Sequence, residues 1–101
     1  MNVILHIATP EAWADAIATG AYTADSLATE GFIHCSEERQ LAWVVQEHFP
    51  GRTGLLLLRI DPARLEAEVR YENLEGGSEL FPHVYGAIPV SAVVDVSPLR
   101  T

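Results

Sequence analysis

The pattern of apolar and polar positions over residues 2–9, NVILHIAT, reads as a strand: Val3, Leu5 and Ile7 share one face, Ile4, His6 and Ala8 the other. Both faces are mostly apolar, which predicts a central strand. The period then changes. Thr9, Pro10 and Glu11 open a helix, with Thr9 as N-cap and Pro10 in the first turn, where its missing N–H is harmless. Trp13, Ala16 and Ile17 fall on one helical face, and Gly20 ends the helix. Residues 21–31, AYTADSLATEG, read as a polar connection with Tyr22 and Leu27 as its large apolar anchors.

GFIHC is a second strand, with Phe32 and His34 on one face and Ile33 and Cys35 on the other. Ser36 is placed to cap a second helix, whose first turn holds Glu37 and Glu38 at the positive end of the dipole. Leu41, Val44, Val45 and His48 make a helical stripe, and Phe49-Pro50-Gly51 stops it. TGLLLLRID is a buried strand, and Asp61-Pro62 caps a short helical turn running to Leu65. EVRYENL predicts an edge strand, ENLEGGSE a Gly-containing turn, and the remainder two short strands around Pro82 and Pro89, the second being SAVVDV. Helices come early and strands late, which favours an α+β fold over a doubly wound parallel sheet. No internal repeat or linker divides the chain, so one domain over residues 1–101 is expected.

Composition narrows the function classes. Apolar residues make up 49% of the 101 positions and charged residues 20%, a globular balance. The net charge of −8, with six arginines spread over Arg39, Arg52, Arg59, Arg64, Arg70 and Arg100, argues against a partner bound by bulk attraction to nucleic acid. It leaves room for one small anionic ligand held by local donors. No stretch approaches the roughly 20 apolar residues of a membrane span, and MNVILHIATP lacks the basic n-region of a signal peptide. A single cysteine rules out an internal disulfide and fits a reducing cytoplasm.

Four histidines carry the candidate chemistry, because imidazole is the side chain most readily poised near neutral pH. His48 lies on an apolar stripe and reads as a core or boundary residue. His6, His34 and His83 each end or interrupt an apolar segment just before a turn, where site residues concentrate. His34 precedes a capped helix, whose free N–H groups beside Ser36 offer an anion site. Three histidines would suit catalytic zinc, but no HxH or HxxxH pair supports it and no metal is expected. Cys35 lies on the strand face opposite His34 and reads as a buried structural thiol. Glu30, Glu72 and Glu79 flank the histidine segments and are candidates to face a site. Trp13 and Trp43 read as core, whereas Tyr22 and Tyr85 lie in turn-rich segments where a ring is available for stacking.

Taken together, ILHIA, Trp13, Gly20-Ala21-Tyr22, Ser26-Leu27, EGFIHCS with Gln40 four residues past Ser36, LLLLRID and FPHVYG resemble the bacterial family called domain of unknown function 952. The resemblance covers nearly the whole chain. That family is in turn similar to a small member of the ADP-ribosyltransferase fold, nearest to the RNA 2′-phosphotransferases, in which small split sheets form a cleft for NAD or an ADP-ribosylated intermediate. The resemblance implies that His6 contacts a ribose or diphosphate and that His34 lines the same cleft. His83 joins them as the third candidate catalytic residue, with Tyr22, Ser36, Gln40, Glu79 and Tyr85 as ligand-binding candidates. The segment between Gly20 and His34 holds no arginine to grip a 2′-phosphate, which weighs against phosphotransfer to or from RNA. Glu79 and His83 stand nearest to the late glutamate that many ADP-ribosyltransferases use.

The leading expectation is therefore a cytoplasmic ADP-ribosyltransferase-like protein that acts on or binds NAD, ADP-ribose or a related anionic metabolite, with no nucleic-acid or membrane partner. One alternative is a non-catalytic module that binds a small ligand in the same cleft, and another is a histidine-based metal-dependent hydrolase. The EVRYE edge offers a route to a dimer.

Overall fold

The computed structural model describes residues 2–73 and 77–100 as a small α+β structure. Its first strand, β1 (Ile4–Ala8), pairs antiparallel with β4 (Leu56–Ile60), which pairs with β8 (Val93–Pro98). A second three-stranded antiparallel sheet runs in the order β3 (Ile33–His34), β6 (Phe81–Val84), β5 (Val69–Glu72). A short ribbon of β2 (Ala21–Tyr22) and β7 (Ile88–Pro89) accompanies them.

The expected central strand β1 is an edge of its own sheet, with β4 in the middle. Its other side is not left open. The Leu5 N–H donates to the Ser36 carbonyl at 2.7 Å and the Ser36 N–H returns a bond to Leu5 at 2.8 Å, joining the two larger sheets. This bridge also corrects the expectation for Ser36. Because its backbone serves a strand pair, it does not cap the helix. That role passes to Glu37, which forms a capping box with Gln40 at the start of a 3-10 turn, Glu38–Gln40. The helix α3 (Leu41–His48) follows directly.

The first helix, α1 (Pro10–Thr19), forms as its caps predict. The Thr9 hydroxyl accepts from the Ala12 N–H, and Gly20 adopts φ 93°, a left-handed conformation that costs glycine little. Ala16 is buried and Trp13 packs on the core, but Ile17 stands exposed on the flank. The supposed connection after Gly20 contains β2 and a one-turn helix, α2 (Asp25–Thr29). The C-terminal part holds three strands, not two, because Pro89 ends β7 and a further turn separates it from β8. Asp61 caps the turn Pro62–Arg64 through the Ala63 N–H, as expected. Among the described residues strand β5 pairs only with β6, so it is an edge. Part of the ENLEGGSE turn lies outside the described residues.

The core is built where the inner faces meet: Ile4, Ala8, Leu58 and Ile60 from one sheet, Ile33, Cys35 and Val84 from the other, with Tyr22, Ile88 and Ala16 closing it. On α3, Leu41, Val44 and Val45 are half-buried. Trp43 lies off that stripe and is 46% exposed, leaning on Phe81 with ring centroids 5.5 Å apart, so it is not a core residue. His48, in the last turn, is likewise exposed and meets the Trp43 ring edge to face at 5.8 Å. Among the described residues no helix is long and apolar enough to cross a membrane.

Candidate functional site

Strand alternation gives the β3-β6-β5 sheet two unlike faces. Ile33, Cys35, Pro82 and Val84 turn inward and are buried. The opposite face carries Phe32, His34, His83, Tyr85, Arg70 and Glu72. The register makes this constellation: His34 lies directly opposite His83, and His83 opposite Arg70 on the other flank. The two imidazoles meet edge to face with centroids 5.3 Å apart. Phe32 stacks nearly parallel on His83 at 4.2 Å, with an 18° interplanar angle, and touches His34 edge-on at 4.9 Å. Helix α2 fixes this end of the strand, since the Ser26 hydroxyl donates to the Phe32 carbonyl at 2.7 Å.

Each imidazole has one nitrogen held by a carboxylate. His83 Nδ1–H donates to Glu72 Oε1 at 3.0 Å, and the Tyr85 hydroxyl donates to the same oxygen at 2.6 Å. The Tyr85 bond and the His83 bond hold the Glu72 carboxyl below the usual range, and the Tyr85 phenol is pushed up by the same contact. On the surface, His34 Nε2–H donates to Glu30 Oε2 at 2.9 Å. The second nitrogens, His34 Nδ1 and His83 Nε2, make no hydrogen bond among the described residues. Arg70 lies over the Tyr85 ring, 4.6 Å from its centroid, and pairs with Glu68 at 3.0 Å.

His6 and Tyr22 sit behind this face. A carbonyl only accepts, so His6 Nδ1 carries the proton that goes to the His34 carbonyl at 2.6 Å, and Nε2 accepts from the Tyr22 hydroxyl at 2.8 Å. Desolvation dominates here: it lowers His6 to about 4 and raises Tyr22 to about 12, so both are neutral. Of the residues expected at the site, His34, His83 and Tyr85 share one face. His6 and Tyr22 brace it from inside, with both His6 nitrogens occupied. Cys35 is a buried thiol pushed up to about 12, on the core side as strand alternation predicts.

Gln40 and Glu79 lie in a different cluster, and Ser36 is paired through its backbone with Leu5. Gln40 is buried, and its Nε2–H group donates to Glu79 Oε1 and to the Leu80 carbonyl, each at 2.7 Å, while its Oε1 accepts from the Glu37 N–H at 2.8 Å. Arg39 adds a 2.6 Å pair to Glu79, whose carboxyl is held low by Gln40 first and Arg39 second. Of the helix-start N–H groups expected to bind an anion beside His34, two are used: Ser36 bonds Leu5, and Glu37 bonds Gln40. Glu30 and Glu72, two of the three carboxylates expected to flank a site, bond His34 and His83, whereas Arg70 and Phe32 were not expected there. Alternation along VRYE puts Arg70 and Glu72 on one face, a readable signal, but their partners depend on the register with β6. Among the described residues no three His, Cys, Asp or Glu side chains form a metal-ligating group, and the three-histidine zinc arrangement loses His6 to its two internal bonds.

The chain belongs to the family described as "Protein of unknown function (DUF952)", whose model matches residues 7–96. No curated protein matches it. Among solved structures it is similar to the crystal structure of protein CC0527 from Caulobacter crescentus, with 29% identity and a TM-score of 0.85 over 97% of this chain and 86% of that one. The solution NMR structure of CC0527 gives 30% identity and a TM-score of 0.83 over 99% and 86%. A double mutant of the same protein matches with a TM-score of 0.85.

Proposed function

We propose that this member of the family binds a small anionic metabolite of the nucleotide class, NAD or ADP-ribose, on the outer face of β3, β6 and β5, as a small protein of the ADP-ribosyltransferase type. One observation carries the reading. His34 and His83 stand side by side with one nitrogen of each fixed by a carboxylate and the other left for a ligand. Arg70 supplies a positive charge on the same face, and the half-buried Tyr85 an aromatic edge. The resemblance of the strand and helix motifs to nucleotide-gripping relatives supplies the ligand class. Fold likeness alone does not fix a reaction, so the geometry of these side chains bears the weight.

The charge balance sets how binding behaves. Glu30, Glu72 and Glu68 outnumber Arg70 on this face, so an anion is held by local donors and not by net charge. Histidine-ring NMR signals followed during addition of NAD and ADP-ribose test the reading directly. Shifts of the His34 and His83 rings at submillimolar ligand, with smaller ones at the enclosed His6, are expected. Rings that stay silent up to 10 mM, the order of the weak limit for a specific site, overturn it.

A further inference from the structure

The geometry points to His83 as the proton acceptor of this site, a catalytic base acting through Nε2 on a hydroxyl or water held between His34 and His83, with Glu72 and Tyr85 as positioning residues. The assignment rests on the ligand reading above and deepens it. His83 is 4% exposed, yet its Nε2 has no partner among the described residues, and no fully enclosed polar side-chain atom there goes unbonded. The open nitrogen therefore faces the small accessible edge of an otherwise covered ring.

Three contacts fix that edge. Phe32 stacked on the ring sets its plane. Glu72, an acceptor when ionised, requires the proton on Nδ1 and so leaves the lone pair on Nε2. The Tyr85 hydroxyl fills the same Glu72 oxygen and stops the carboxylate from turning away. A base whose remote nitrogen is held by an oriented carboxylate keeps one tautomer and stabilises the imidazolium that forms. His34, opposed across the strand pair with its ring centroid 5.3 Å away, has Nδ1 unbonded among the described residues and bears its own carboxylate at Glu30. Among the described residues the Gln40–Glu79 and Arg59–Glu38 clusters lack this feature, since each is closed on itself.

The step balances without an oxidant or co-reactant. The acceptor O–H bond breaks, its electron pair stays on oxygen, and the proton passes to His83 Nε2, whose new charge lies against the Glu72 carboxylate. With a ligand of the NAD class the oxygen adds to the anomeric carbon of the nicotinamide ribose. The carbon–nitrogen bond breaks with its electron pair moving to the ring, and nicotinamide leaves neutral. The proton on His83 returns to water as the product departs.

The test combines two measurements on the full chain. Long-range proton–nitrogen NMR at pH 7 reads the His83 tautomer, which is expected to be Nδ1–H. Glu72→Gln is expected to raise the Nε2–H form to a comparable population while the amide spectrum stays folded. Nicotinamide release from NAD is expected to fall about 10²- to 10⁴-fold in His83→Gln, the span of one general base, and to fall with the tautomer population in Glu72→Gln should the buried His83→Gln variant fail to fold. If NAD shifts the His34 ring but no nicotinamide is released, or Glu72→Gln turns over as fast as the parent, the base assignment is overturned and the ligand reading stands. A dominant Nε2–H tautomer overturns the assignment by itself. No response of either ring to NAD or to ADP-ribose overturns both.

Discussion

The Nδ1–H of His6 donates to the backbone carbonyl of His34 at 2.6 Å, although the two lie 28 residues apart. The inner face of β1 thus fixes the strand end that carries the exposed imidazole. Replacing His6 by Phe keeps the volume and deletes both bonds, leaving the His34 carbonyl and the buried Tyr22 hydroxyl without partners. Each orphaned buried group costs about 1–3 kcal/mol, so urea unfolding should show a loss on the order of 3 kcal/mol. A loss near zero would mean that water or a shifted Tyr22 replaces the imidazole.

His6 also gives the fold an acid limb of known sign. Burial lowers it from 6.5 in the open chain to about 4 in the fold, so between these values the unfolded chain binds the proton and the native one does not. Stability therefore rises with pH through this window, is complete above pH 6.5 and is lost as pH falls toward 4, by about 3 kcal/mol for a shift of this size. Glu68, Glu72 and Glu79, all held low by hydrogen-bonding partners, act in the same direction but from about pH 4.5 downward. Unfolding of the parent and of His6→Phe at pH 7 and pH 4.5 separates the two: the difference between them should shrink by most of the His6 contribution. An equal gap at both pH values would place the sensitivity in the carboxylates alone.

Tyr85→Phe isolates the hydroxyl that anchors Glu72. The ring remains under Arg70, and only the 2.6 Å bond disappears. That bond is the largest cause of the low Glu72 carboxyl, ahead of His83, so the carboxyl should titrate closer to its ordinary value in the variant. Side-chain carboxyl NMR over pH 2–7 reads this. An unchanged Glu72 titration would show that His83 holds the carboxylate unaided.

Much of this fold was legible because its signals are local. Thr9, Pro10 and Gly20 mark both ends of α1, and LLLLRI marks β4, since caps and apolar runs act over a few residues. The failures are non-local. Ser36 has the chemistry of a cap, but its backbone is claimed by Leu5 31 positions away. β2 and β7 are two-residue strands that exist only as each other's partners, so neither carries a pattern of its own. The site divides in the same way. Alternation set His34 and Phe32 against Ile33 and Cys35, but which histidine would join His34 was a question of register: pairing brought His83 to the face, while His6 turned inward. Glu79 and Gln40 flanked the right segments and found each other instead.

That pairing supports the last prediction. Gln40 is 3% exposed and ties the start of α3 to the approach of β6 through both ends of its amide. Gln40→Ala leaves the Glu37 N–H and the Leu80 carbonyl without their side-chain partner, a loss of about 2 kcal/mol for two groups that water partly reaches. Gln40→Glu keeps an acceptor for the Glu37 N–H but removes both donors and sets a carboxylate against Glu79 and the Leu80 carbonyl. At pH 7 it should therefore be less stable than the alanine variant, and the order should narrow as pH falls and the new carboxyl protonates. Thermal unfolding of the three proteins at pH 7 and pH 5 measures the order. Because Gln40 lies off the histidine face, both variants should respond to NAD as the parent does wherever they are folded. If Gln40→Glu proved as stable as the parent at pH 7, the amide donors would not be what joins α3 to β6, and the half-buried Leu41, Val44 and Val45 would carry that junction instead.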